Sequence, residues 1–195
     1  MIRIVPCVAL ALLAASCAAA PRDGDHPPAS IAEQRVFLDG LRGLCGNAYE
    51  GSVVHAPETD DAFTGRRLVM HVAECSDGML RIPFHVGSDR SRTWFVRTAS
   101  AGLELKHVHR HEDGTESSNT NYGGTTSARG TPHRQEFPAD AVSVAAVPAR
   151  GTQWWFLEHY PGRIFAYGLF REGSGLLYRI EFDLTSTVPP PPAPW

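Results

Sequence analysis

The chain is 195 residues long, 43% hydrophobic and 20% charged, with a formal net charge of −3. That length fits one domain. The mild acidity excludes the basic footprint of a nucleic-acid binder, and the apolar content excludes a disordered chain.

The first element in chain order is an address. Arg3 is followed by an apolar run from Ile4 to Leu13 and by small residues to Cys17, the pattern of a secretory signal peptide. The run is too short to span a bilayer, which takes about 20 residues. Leu13, Ala14, Ala15, Ser16 and Cys17 resemble the bacterial lipobox. That resemblance implies a signal peptide over 1–16, lipidation of Cys17, and attachment to the outer or inner membrane of a cell envelope, facing the periplasm. Ala18, where an Asp would retain the protein at the inner membrane, resembles the pattern sorted to the outer membrane. Ordinary cleavage around Ala18–Ala20, giving a secreted soluble protein, is the alternative. Residues 17–29, with Pro21, Pro27 and Pro28, read as a tether.

The domain is expected over 30–187. Ser30 and Glu33 form a capping-box pattern, and Ile31, Phe37, Leu38, Leu41 and Leu44 recur at helical spacing, so one short helix opens the domain. Cys45 and Cys75 remain after Cys7 and Cys17 are assigned to the leader. An oxidising compartment would join them, at a gain of about 3–4 kcal/mol. A reactive or metal-binding thiol pair is the alternative.

Strands follow. Alternation marks 68–73, 81–86, 94–97 and 176–184, the last with Leu176, Tyr178, Ile180, Phe182 and Leu184 on one face. Turn signals at Asp113–Gly114, Pro161–Gly162 and Glu172–Gly175 are too short for helical crossovers. The expected fold is an all-β antiparallel barrel of about 8–10 strands, with a jelly roll or sandwich as the alternative. The short helix followed by Gly46–Gly51, with Tyr49, resembles the opening of calycins, the lipocalin-like barrels. The tail, Val188 to Trp195 with Pro189–Pro192 and Pro194, reads as a frayed polyproline end. Recruitment of a partner and packing of Trp195 on the barrel are its other readings.

One constellation carries chemistry. At period two, Leu103, Leu105, His107, His109 and His111 share a strand face. A two-residue Asp113–Gly114 loop would set His111 opposite Glu116, His109 opposite Ser118, His107 opposite Thr120 and Leu105 opposite Tyr122. His107, His109, His111, Glu116 and Tyr122 would then line a barrel cavity and bind a small molecule, without a cofactor and without catalysis. His109, His111, Glu116 and Gly123 also resemble the first cupin motif. That resemblance implies His109, His111 and Glu116 as ligands of a divalent transition metal, in a metal-binding protein or metalloenzyme. The second cupin motif has no counterpart after this hairpin. A third reading is a structural or interaction lipoprotein of the envelope. His55, His71, His85, His133 and His159 read as surface or capped residues, and Arg66–Arg67 and Asp89–Arg92 as solvated turns. Trp154–Trp155 sends one indole to each face of its strand. No phosphate loop, HExxH or GxSxG pattern occurs, which leaves no classical hydrolase signature.

Overall fold

A computed structural model of the chain describes residues 31–60, 62–128 and 130–195. The expected signal peptide, Cys17, the tether and Ser30 lie outside the described residues. Helix α1 spans Ile31–Arg42, with Glu33 in its first turn and Arg42 in its last, the arrangement the helix dipole favours. Gly46, at φ 81°, turns the chain into the first strand.

Among the described residues eleven strands make one antiparallel sheet. They are β1 (Ala48–His55), β2 (Leu68–His71), β3 (Glu74–Ser76), β4 (Met79–Val86), β5 (Asp89–Ala99), β6 (Gly102–His109), β7 (Tyr122–Thr125), β8 (Arg134–Pro138), β9 (Gln153–Tyr160), β10 (Ile164–Arg171) and β11 (Gly175–Asp183). The order is β7-β6-β5-β4-β2-β1-β11-β10-β9-β8, with β3 added to β4. First and last strands pair, so the sheet curls through neighbours in sequence into a nearly closed ten-strand up-and-down barrel. The expected all-β barrel is therefore the fold. Tight turns join β4 to β5, β5 to β6, β9 to β10 and β10 to β11, which fixes those pairs as antiparallel neighbours.

The seam lies between β7 and β8, where a single bridge joins Gly124 to Ala139. Gly124 permits this approach, because a Cβ there would collide with the Pro138 carbonyl. Helix α2 (Ala141–Ala146) covers the seam, and its Ser143 hydroxyl bonds both the Gly123 N–H (2.7 Å) and the Gly123 carbonyl (2.9 Å).

Side chains fill the barrel. Phe84, Phe165, Phe182, Leu80 and Ile82 are fully buried in one cluster. Trp94 is stacked between Phe84 (4.7 Å) and Tyr167 (4.6 Å). Phe37, Leu38, Leu41 and Leu44 of α1 belong to the same cluster, so the helix plugs one end of the barrel. The Cys45–Cys75 disulfide fastens the α1–β1 turn to β3. Trp155 enters the core and Trp154 stacks outside on Phe170 (4.3 Å), one indole per face as the sequence implied.

Three expectations change. The Asp89–Arg92 run is not a turn but opens β5, where Arg92 pairs with Asp89 and lies over the Phe63 ring. His85 and His159 are buried rather than at the surface. The tail does not fray: Val188 N–H bonds the Ala48 carbonyl (2.9 Å) and Trp195 N–H bonds the Arg90 carbonyl (3.3 Å). Prolines fix an extended conformation in advance, so laying the tail along β2, β4 and β5 loses little chain entropy.

Candidate ligand site

The histidine face splits along its length. His107 is buried, stacked on the Tyr122 ring at 4.6 Å and close to Trp155. Its Nδ1 faces the Tyr122 carbonyl (3.2 Å), which only accepts, so Nδ1 carries the proton and donates. Nε2 then accepts from the Tyr167 hydroxyl at 3.0 Å. Burial pushes the His107 pKa down to about 3, with smaller effects from His109, Arg150 and Lys106. His109 is half-buried, and its Nε2 shares a hydrogen bond with the Tyr122 hydroxyl at 3.3 Å. Burial, then Arg92 and Arg150, lower its pKa to about 4 against the opposing pull of Asp89. Arg150 lies over the Tyr122 ring at 4.2 Å and is held by Asn119 Oδ1 at 2.6 Å.

These contacts seal the barrel mouth opposite α1. Both nitrogens of His107 are engaged in the core, and His109 is too weak a base for acid–base work near neutrality.

The remaining expected partners lie elsewhere. Strand β6 ends at His109, so the alternation that carried His111 to the inner face stops there; His111 is exposed. Glu116 is exposed and pairs with Arg110 at 3.5 Å. The register differs from the expected one: His107 faces Tyr122, Leu105 faces Gly124, and Arg110 bridges Glu116. Residues 117–121 loop out, ending in Asn121 at φ 57°, and absorb the extra length. Among the described residues no group of three or more His, Cys, Asp or Glu side chains is placed to hold a metal ion. His107, His109 and Tyr122 therefore meet, whereas His111 and Glu116 do not join them.

A larger concavity lies at the plugged end, outside the barrel wall. It holds about 670 Å³ between α1 and three turns, within the usual range of about 300–1,000 Å³ for small-molecule sites. Arg35, Asp39 and Arg42 line one shoulder of α1, and Leu38 and Leu103 form the floor. The Asp77–Gly78 turn and residues 98–101 and 126–128 form the far wall.

Thr126 Oγ1 ties these pieces together, accepting from Gln34 Nε2 and from Leu103 N–H, both at 3.0 Å. Gly102, at φ 135°, permits that approach, since a Cβ would collide with Thr126 Oγ1. Arg42 bonds Asp39 at 2.9 Å, pre-orienting its guanidinium. Two arginines face two aspartates, so the cleft presents donors and acceptors with little net charge.

The sequence reading missed these residues. Arg35, Asp39 and Arg42 recur at helical spacing beside the apolar stripe, a signal that was present. The turns opposite them come from distant segments and carried none. No protein-family model, no curated protein and no solved structure matches the chain.

Proposed function

We propose that the chain is a lipid-anchored, periplasm-facing protein that holds a small molecule, without catalysis, in the cleft beside α1. The observation that carries this reading is the cleft itself, an apolar floor with a balanced polar rim beside a barrel whose interior is packed. Such a site suits a neutral or zwitterionic molecule with a short apolar body. The Cys45–Cys75 disulfide fits an oxidising compartment. Cys17 is the anchoring residue, and in this reading the tether enters the same helix that bears Arg35 and Asp39.

Native mass spectrometry of the full-length protein recovered from membranes tests the ligand. Wild type is expected to carry an excess mass that Ala101→Trp, an exposed residue of the cleft wall, excludes. Equal loading of both proteins would overturn the assignment to the cleft. Cys17→Ser is expected to release the protein from the membrane fraction, and retention there would overturn the anchor.

A further inference from the structure

The tail is a strap held at its two ends. Val188 N–H bonds the Ala48 carbonyl (2.9 Å) at one end, and at the other the Arg90 carbonyl accepts from Trp195 N–H (3.3 Å). Arg90 also donates to the Ala193 carbonyl (3.2 Å), and its guanidinium lies 5.7 Å from the Trp195 ring centroid. Between these ends Pro189–Pro192 face Val69, His85 and Arg90 across one concavity. Proline has no N–H, so this stretch donates no hydrogen bond to the barrel.

Val69 and His85 are cross-strand partners on β2 and β4. Their chain neighbours Leu68, Met70, Phe84 and Val86 belong to the core, so both side chains point outward. Even so, Val69 is 3% and His85 4% exposed. Outward residues of a barrel are buried only where another segment lies over them, and here that segment is the strap. His85 Nε2 is sealed without a hydrogen-bond partner. An imidazolium carries N–H donors at both ring nitrogens and needs acceptors for them, so the closed strap tolerates only the neutral ring.

The charges around His85 sharpen that demand. Arg90 on β5 and His71 on β2 oppose a proton there, and Asp89 favours it. Asp89 is already engaged by Arg92 and by Ser91 N–H (2.8 Å). Arg67 and Glu112 line the same concavity. Arg67 is paired with Glu50 at 2.7 Å, and Glu112 is exposed, where water screens it. The strongest of these charges on His85 is Arg90, the residue that holds the strap. Strand β4 cannot move away, because ladders to β2 and β5 hold it on both sides.

We propose that the strap is an acid-released latch: protonation of His85 repels Arg90 and frees residues 189–195 from the outer face while the barrel stays folded. Release exposes Val69 and presents a proline-rich segment with a free indole. Burial, then Arg90 and His71, lower the His85 pKa while the strap is closed. Once released, the imidazole returns towards about 6.5. The open form therefore takes up the proton first, and the closed form is lost as pH falls below about 6.5. This latch is separate from the α1 cleft and does not depend on it.

Heteronuclear NMR of the ¹⁵N-labelled full chain between about pH 7.5 and pH 5 tests it. The Trp195 indole, identified by its loss in Trp195→Phe, should move to the position and mobility of a free indole. The released fraction should rise by up to about tenfold per pH unit below about 6.5. The indoles of Trp94 and Trp155, in the core, should stay in place. His85→Phe, which keeps a ring without a titrating nitrogen, should hold the strap closed across the range. A Trp195 signal that does not change overturns the latch. So does loss of the Trp94 and Trp155 signals at the same pH, which would mean unfolding. Release in His85→Phe at the wild-type midpoint overturns His85 as the trigger. If that variant does not fold, the ring titration of His85 in the wild type decides. Its midpoint must coincide with that of strap release, and a mismatch overturns the proposal.

Discussion

The two ends of the barrel are sealed by different chemistry. At the plugged end, α1 drives Phe37, Leu38 and Leu41 into the core, and a disulfide holds the following turn. At the mouth, His107, Tyr122, Trp155 and Tyr167 close the opening with stacked rings and hydrogen bonds. The first seal depends chiefly on area removed from water, although Gly40 of α1 packs on the buried imidazole of His159, whose pKa is lowered by that burial. The second depends on a histidine that stays neutral. Ligand access divides the same way: the plugged end leaves a cleft beside its helix, whereas the mouth is filled by its own side chains.

The largest expected effect breaks the plugged end. Phe37→Ala should lower stability by about 3–5 kcal/mol in urea unfolding at pH 7. A loss below about 1 kcal/mol would show that α1 is not part of the seal. Replacing Cys45 and Cys75 together by serine should cost about 3–4 kcal/mol, because the cross-link closes a loop of separation 30.

Acid should act on the mouth. The folded pKa of His107, about 3, lies below the unfolded value of about 6.5. The unfolded chain therefore binds the proton first, and the His107 contribution, complete above pH 6.5, is lost as pH falls towards 3. By pH 4 the loss should reach about 3 kcal/mol. His107→Phe should remove that part of the pH dependence, and an unchanged pH profile would contradict a neutral, buried imidazole. The smallest effect is expected for Tyr122→Phe, which removes the bond to His109 and should cost about 0.5–1.5 kcal/mol.

The same contrast explains what the sequence disclosed. Alternation at Ile180, Phe182 and Leu184 and the turns at Pro161–Gly162 and Glu172–Gly175 are local signals, and they sufficed for an antiparallel barrel with a helix at its start. The burial of His107 was legible because Leu103 and Leu105 share its face. The fate of His111 was not, since it turns on where β6 stops, and that depends on the loop over 117–121. Gly123 and Gly124, which let α2 and β8 close the seam, have no side chains to announce it. The strap was equally silent: a proline run shows conformation, not where it lies. The cleft is assembled from α1 and three distant turns, and spacing along the chain carries no trace of that meeting.

The central claim is that ligand is held beside α1 and not inside the barrel. Amide shift mapping of the ¹⁵N-labelled full chain against a library of neutral and zwitterionic small molecules tests it most directly. The account predicts saturable shifts at Arg35, Asp39, Thr98 and Thr126, abolished by Ala101→Trp, with His107 and His109 unmoved. Shifts centred on His107, His109 and Tyr122, or unaffected by Ala101→Trp, would contradict it.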